Sequence, residues 1–155
     1  MELSADWEYV ADTVMGGVSR GQAERETVAG RTAMHLTGMV SLENNGGFVQ
    51  MAFDLANGAT FDASGYSGLS IDVLGNGARY DVRVRTDALT RPWQSFRAEF
   101  QAPPYWSTID VAFGDLVAHR TEAVFDPSQV RRIGILAVGR EMRADIAVSA
   151  VRLYR

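Results

Sequence analysis

Short runs of alternating apolar and polar residues, separated by glycines, occupy most of this chain. A period of two places the apolar residues of each run on one face of a β-strand. The clearest rows are Met34–Leu42, Val49–Leu55, Leu69–Val73, Tyr80–Val84 and Ile109–Phe113. The 15 glycines punctuate these runs in the manner of a sandwich or barrel. The sequence therefore predicts an all-β domain over residues 1–155, which is long enough to bury a core.

Three local patterns refine this prediction. Residues 133–138 are apolar on both faces, which is typical of a central strand. The apolar phase slips between Val148 and Val151, and such a slip indicates a β-bulge. Asp126 followed by Pro127 predicts one or two helical turns, with Asp126 as the cap.

The amino-acid composition excludes several kinds of catalytic group and binding site. Every basic residue is arginine and the chain has no cysteine, which excludes Schiff-base lysines, thiol nucleophiles and disulfides. The net charge is -4 with no basic run, so we expect no nucleic acid partner. No apolar run can cross a membrane, and the N-terminus has no signal-peptide pattern, so we expect a cytoplasmic protein. With no acidic cluster for calcium and only two histidines, we expect no metal or cofactor.

Two Gly-Gly segments stand out, at residues 12–19 and 43–48. If Ala29-Gly30 closes a two-residue hairpin, paired residue numbers sum to 59 and Gly16 faces Glu43. Asn45-Gly46 predicts a type I′ turn that returns the chain along residues 48–55. Both glycine pairs then lie at one end of a three-stranded meander, about 4.8 Å apart.

The glycine segments allow two interpretations. Their backbone N–H groups could form a nest that faces a ligand, with polar and methionine side chains around it. Alternatively the glycines only provide positive φ and close approach, while Asp12 and Asn44 satisfy backbone donors. The candidate binding residues are Asp12, Met15, Gly16, Gly17, Ser19, Glu43, Asn44, Asn45, Gly46 and Gly47.

A second group of candidates lies on the polar face of the strand over residues 79–86 and in nearby loops. The arginines of that face could line a groove for sugar hydroxyls or an acidic partner, or could form ion pairs on a solvated sheet. The aromatic residues after it could be a stacking platform, an interface or core. This group comprises Arg83, Arg85, Trp93, Gln94, Tyr105, Trp106 and Arg120.

These motifs resemble the signature of the CIA30 family, named for the complex I intermediate-associated protein of 30 kDa. The matching residues include Trp7, Met15-Gly16-Gly17, Glu43-Asn44-Asn45-Gly46-Gly47-Phe48, Gly75-Asn76-Gly77, Trp93-Gln94 and Trp106. The resemblance implies a galactose-binding-like β-sandwich jelly roll related to non-catalytic carbohydrate-binding modules. It also implies a link to assembly of respiratory complex I.

Three functions follow as hypotheses. The first is a non-catalytic protein-interaction or assembly-factor module. The second is carbohydrate binding through the concave sheet, by Arg83, Arg85, Trp93, Gln94 and Tyr105. The third is an enzyme using Asp12, Glu43 and His119 as acid–base groups. If Met15, Glu43, Asn44 and Trp106 form one exposed patch, that patch is a binding surface; if they are buried, the signature is architectural.

Overall fold

The computed structural model describes residues 1–155 apart from the side chain of Asn45, so the binding role suggested for that side chain lies outside the described residues. The strands are β1 (Glu8–Ala11), β2 (Arg20–Val28), β3 (Arg31–Val40), β4 (Phe48–Asp54), β5 (Gly68–Leu74), β6 (Arg79–Thr86), β7 (Ser95–Gln101), β8 (Ser107–Ala112), β9 (Val117–His119), β10 (Val130–Val138) and β11 (Met142–Tyr154). Short 3-10 turns occupy Asp12–Met15, Glu43–Asn45, Phe113–Asp115 and Pro127–Gln129. In the described part of the chain, no helix is long and apolar enough to cross a membrane.

The strands form two antiparallel sheets that pack face to face. One sheet has six strands in the order β1-β4-β10-β6-β7-β9, and the other has five in the order β2-β3-β11-β5-β8. The predicted apolar rows point between the sheets, and Met51, Phe53, Ile71 and Val82 are fully buried there. The predicted all-β sandwich is therefore confirmed.

The local predictions are confirmed as well. Strand β10 lies between β4 and β6, as its two apolar faces require. The register of β11 shifts between Val148 and Ala150, where the apolar phase slips. Asp126 caps the turn that follows it, accepting from the Ser128 N–H at 2.9 Å. The β2–β3 hairpin keeps the predicted register from Val28↔Arg31 to Arg20↔Met39.

The predicted three-stranded meander is wrong. Strands β3 and β4 belong to different sheets, so the chain crosses the sandwich between them. The connection is not a type I′ turn, because positive φ falls on Asn44 and Gly47 while Gly46 has a φ of -75°. A two-residue turn would keep both strands in one sheet, whereas the 3-10 turn Glu43–Asn45 carries the chain across to the second sheet.

Candidate functional site

The carboxylate of Asp12 joins the two glycine segments. Its side chain is fully buried at the end of β1. Oδ1 accepts from the Ser19 N–H at 3.0 Å, and Oδ2 accepts from the N–H groups of Gly47 at 2.6 Å and Phe48 at 3.3 Å. The Ser19 hydroxyl also donates to Oδ2. Burial alone would raise the pKa of Asp12, but these hydrogen bonds outweigh it and lower the pKa below its ordinary value.

The two glycines of each pair have different structural reasons to be glycine beside this carboxylate. Gly16 and Gly47 have φ values of +85° and +141°, which other residues rarely adopt. Gly17 and Gly46 are required by space instead. A Cβ on Gly17 would lie 2.5 Å from the Asp12 carboxyl carbon, and one on Gly46 would lie 2.5 Å from Oδ2. One glycine of each pair therefore bends the chain and the other admits Asp12.

Two further contacts extend this arrangement across both sheets. The Ser41 N–H, just beyond β3, donates to the Ser19 hydroxyl at 2.8 Å. The Gly139 N–H, after β10, donates to the Gly47 carbonyl at 2.9 Å. We call Asp12, Gly17, Ser19, Gly46 and Gly47 the Asp12 knot. The backbone N–H groups of the Asp12 knot donate to a carboxylate of the same chain. The two glycine pairs therefore lie close together as predicted, although the three-stranded meander is wrong.

Exposed apolar side chains lie in the segments next to the Asp12 knot. We define the knot rim as Val14, Met15, Val18, Met39 and Leu42, all of them exposed, with Met15 56% exposed. Met39 pairs with Arg20 at the end of the β2–β3 hairpin, and a Leu42 methyl lies 3.1 Å from the Cβ position of Gly47. The knot rim therefore lies at one end of the sandwich.

Polar candidates border the same rim. Glu43 and Asn44 are exposed beside Leu42, in the turn that carries the chain from one sheet to the other. This arrangement brings Met15, Glu43 and Asn44 to one end of the molecule.

Trp106 lies elsewhere. Its indole Nε1 donates to the Val28 carbonyl at 3.1 Å, and the Arg31 guanidinium lies 4.9 Å over its ring. Val28 ends β2, whose nine residues separate it from the knot rim by about 27 Å. Met15, Glu43, Asn44 and Trp106 therefore do not form one exposed patch, because Trp106 is half-buried beside the far end of β2. The strand register predicted from the sequence could not reveal the position of Trp106, because a hydrogen bond from its side chain determines that position.

Ion pairs neutralise much of the charge on the polar face of β6. Asp81 is buried and accepts from Arg83 Nε and Nη2 at 3.1 and 3.0 Å. It also accepts from Arg97 Nε and Nη2 at 2.9 and 3.1 Å. The Asp81 bonds raise the pKa of Arg97. Arg83 thus sits in a buried ion cluster.

Arg85 is held differently. Its Nη1 donates to the carbonyls of Arg91 at 2.9 Å, Pro92 at 3.3 Å and Gln94 at 2.5 Å. The Gln94 Oε1 in turn accepts from the Thr90 and Arg91 N–H groups, both at 3.1 Å. Trp93, 51% exposed, is at the tip of this loop. The structure therefore brings Arg85, Trp93 and Gln94 together.

Tyr105 is not part of that group. It is 65% exposed and follows β7, at the end opposite to the one where Trp93 precedes this strand. The seven residues of β7 separate the two rings by roughly 20 Å.

His119 and Arg120 lie at the end of β9, on the edge of the six-stranded sheet. His119 pairs with Ser95, and burial together with Arg83, Arg97 and Arg120 lowers its pKa. Arg120 is exposed and has a φ of 58°. His119 lies at the level of the last residues of β4, about 20 Å from the Asp12 end. The acid–base set of Asp12, Glu43 and His119 is therefore not assembled.

The outer face of the six-stranded sheet is mostly charged. The ion clusters of Asp81 and of Arg132 with Asp54 lie on it. Strand alternation also places the ring of Phe48 on this face, at the start of β4 and next to the Asp12 knot. No group of three or more histidine or acidic residues there or elsewhere in the described chain suits a metal ion.

Sequence reasoning missed several residues that the structure brings to these sites. Val14, Val18, Met39 and Leu42 complete the knot rim, and Leu42 was expected inside. The others are Ser41, Thr86, Arg97, Arg131 and Arg132. The Arg131-Arg132 pair beside an apolar strand was the one visible signal.

The fold resembles carbohydrate-binding modules of very low sequence identity. A family 11 carbohydrate-binding module from Clostridium thermocellum, solved with a β-1,3-1,4-mixed-linked tetrasaccharide, has a TM-score of 0.75 at 12% identity. The match covers 99% of this chain and 94% of that one. A family 30 module of a cellulosomal cellulase of Clostridium thermocellum has a TM-score of 0.64 at 15% identity, covering 98% and 95%. At such identities the likeness shows the fold alone.

The sequence itself has a more specific match. A comparison with curated proteins finds no relative. The model of the family described as complex I intermediate-associated protein 30 matches residues 1–148. This match covers nearly the whole chain, and both glycine segments lie within it. The chain belongs to the CIA30 family.

Proposed function

We propose that residues 1–155 form a non-catalytic protein-interaction module that docks through the knot rim. The observation that carries this proposal is the set of five exposed apolar side chains, at residues 14–18 and 39–42, in the segments next to the Asp12 knot. Isolated exposed apolar residues are ordinary, but several at one end of a small domain are typical of an interaction surface. Methionines supply adaptable contact area, and the rim contains two of them, Met15 and Met39.

The Asp12 knot supports this proposal by making the rim rigid. Val14 and Met15 belong to the turn that Asp12 begins, and Leu42 lies against Gly47. Because Asp12 fixes both loops through hydrogen bonds, little conformational entropy remains to be lost when a partner binds. The buried carboxylate thus acts on binding indirectly, as a support for the exposed side chains.

Family membership suggests the kind of partner. The family is described by association with an intermediate of complex I. We infer an assembly role in which the knot rim contacts a subunit of a multisubunit complex, respiratory complex I being the first to test. The cytoplasmic location expected from the sequence is part of the same proposal.

Site-specific photo-crosslinking in the host tests this proposal. A photoreactive residue at position 15 should crosslink one partner, and the same residue at position 117 should not. Val117 is a matched control because it is an exposed apolar residue, 65% exposed, on β9, at the edge of the six-stranded sheet opposite to β1. Met39→Glu and Leu42→Glu should abolish crosslinking from position 15 without lowering thermal stability. Equal crosslinking from both positions, or none from position 15, would refute the proposal.

Carbohydrate binding is the second candidate, and one observation favours it. Trp93 exposes half of its ring beside the loop that holds Arg85. Aromatic faces are typical platforms for sugar rings. On the charged outer face of the six-stranded sheet, strand alternation places the ring of Phe48 at the other end of β4, roughly 20 Å from the level of this loop. Calorimetry with a mixed-linked β-glucan tetrasaccharide tests this candidate, with Trp93→Ala as the expected loss-of-binding variant. Absence of heat at millimolar sugar would remove it.

A further inference from the structure

A small polar cavity opens at the end of the six-stranded sheet that is opposite to the Asp12 knot. Its volume is about 170 Å³, and its lining includes Asp54, Arg85, Thr86, Leu89, Arg131 and Arg132. A water molecule occupies about 30 Å³ in the liquid, so the cavity has room for a small polyatomic ligand. Asp54 ends β4, whose first residue contacts Asp12, so roughly 20 Å separates the two regions.

A β-bulge brings three arginines to this cavity. Val130 pairs with Thr86 and Arg132 pairs with Arg85, so Arg131 is the extra residue of β10. In a regular strand Arg131 and Arg132 would point to opposite faces of the sheet. The bulge bends the strand locally and lets both line the same cavity.

The three arginines differ in their partners. Arg132 binds Asp54 at 2.8 Å and also Glu8, and Arg131 binds Asp87 at 3.3 Å. Arg85 has no carboxylate within salt-bridge distance among the described residues, and its bonds are to carbonyls. Burial, and then the charges of Arg131 and Arg132, lower the pKa of Arg85. The cavity therefore has a cation whose charge the chain leaves uncompensated.

Thr86 lines the cavity, but its hydroxyl is shielded from it. Thr86 alternates with Arg85 along β6 and pairs with the core residue Val130, so its side chain lies on the core face of the sheet. Its Oγ1 is buried and has no hydrogen-bond partner within the described part of the chain. A ligand in the cavity would therefore meet Arg85 and not this hydroxyl.

We propose that this cavity binds a small oxyanion, the phosphate, sulfate or carboxylate group of a ligand. The edge of the Arg85 guanidinium that carries Nε and Nη2 would bind two oxygens of the anion, since a planar guanidinium matches the geometry of phosphate, sulfate and carboxylate groups. Asp54 does not oppose it strongly, because Arg132 neutralises that carboxylate. This site is independent of the knot rim and of the proposed partner.

Titration of the protein with sodium sulfate, phosphate and acetate, at ionic strength fixed with sodium chloride, tests the proposal. Nuclear magnetic resonance would follow the guanidinium signals of Arg85 and the amide of Thr86. We expect saturable shifts at millimolar anion. Tighter binding of sulfate and phosphate identifies a tetrahedral anion, and tighter binding of acetate identifies a carboxylate.

Three variants separate a built site from general charge attraction. Arg85→Gln should lower the affinity at least about tenfold, whereas Thr86→Val, whose side chain lies on the core face, should stay within about twofold of the wild type. Arg20→Gln, on exposed β2, removes the same charge far from the cavity and should stay within about twofold of the wild type.

Thr86→Val is the control for disturbance of the fold beside Arg85. It nearly preserves shape, and in anion-free buffer it should melt no lower than the wild type because it removes an unpartnered hydroxyl. The proposal is overturned if no anion saturates the signals, if Arg85→Gln binds as the wild type does, or if Arg20→Gln weakens binding as much as Arg85→Gln does.

Discussion

Asp12 and Arg85 are both charges held by main-chain groups instead of ion pairs, yet they differ in how completely they are satisfied. Asp12 accepts three backbone N–H bonds and one hydroxyl bond, shared over both oxygens. Arg85 uses one nitrogen for three carbonyls of a single loop, and its Nη2 and Nε make no hydrogen bond within the described part of the chain. A satisfied buried charge stabilises the fold, whereas an incompletely paired one has capacity left for a ligand.

The largest expected effect comes from removing Asp12. Asp12→Ala should lower the free energy of unfolding by about 3–5 kcal/mol, since it strands several buried donors in both glycine segments. Urea denaturation at pH 7 would measure this loss. Asp12→Asn, which keeps the shape but loses the charge, should cost somewhat less. A loss below about 1 kcal/mol for Asp12→Ala would show that the knot is not the structural centre inferred above.

The glycines that admit Asp12 should come next. Gly17→Ala and Gly46→Ala each place a Cβ 2.5 Å from the Asp12 carboxyl group, and each should cost about 2–3 kcal/mol. Gly65→Ala is the matched control, because its Cβ would meet nothing within 4 Å and its φ is not positive. That control should be neutral or slightly stabilising, since alanine restricts the unfolded chain. Equal effects at all three positions would mean that close approach to Asp12 does not select glycine.

Local sequence patterns predicted the strands and the β2–β3 register well, because alternation and a tight turn act over a few residues. They failed at β4, because the choice of sheet depends on Asp12 bonding to Gly47, 35 residues later. The Arg85 cavity was equally hidden. Its arginines meet only because a bulge in β10 faces Thr86 and Arg85. Trp106 illustrates the same limit, since a bond to Val28, 78 residues earlier, fixes its position.

Acid should weaken the Asp12 knot in a way that a variant can isolate. The pKa of Asp12 is lowered by folding, so its contribution is complete above its ordinary value of about 4 and is lost as the pH falls through the lower folded value. The free energies of unfolding of the wild type and Asp12→Asn, measured by urea denaturation, should converge by about 1 kcal/mol or more between pH 5 and pH 2.5.

The comparison with Asp12→Asn is necessary because other carboxylates also titrate in this range. The hydrogen bond from Arg152 lowers the pKa of Asp72, and the variant retains that contribution. A constant gap between the two proteins from pH 5 to pH 2.5 would mean that Asp12 does not titrate differently in the folded state.

Arg85 should give the smallest change in stability, and this contrast with Asp12 is the sharpest form of the comparison. Arg85→Gln loses three loop hydrogen bonds but also relieves burial of an unpaired cation and its repulsion from Arg131 and Arg132. These effects oppose each other, so the free energy of unfolding should change by less than about 1 kcal/mol. Urea denaturation in sulfate-free buffer would measure this value. Added sulfate should then raise the midpoint of the wild type and leave that of Arg85→Gln nearly unchanged, because only the wild type retains the binding site. If Arg85→Gln instead destabilises the anion-free protein as much as Asp12→Ala does, both charges are architectural and the distinction between them fails.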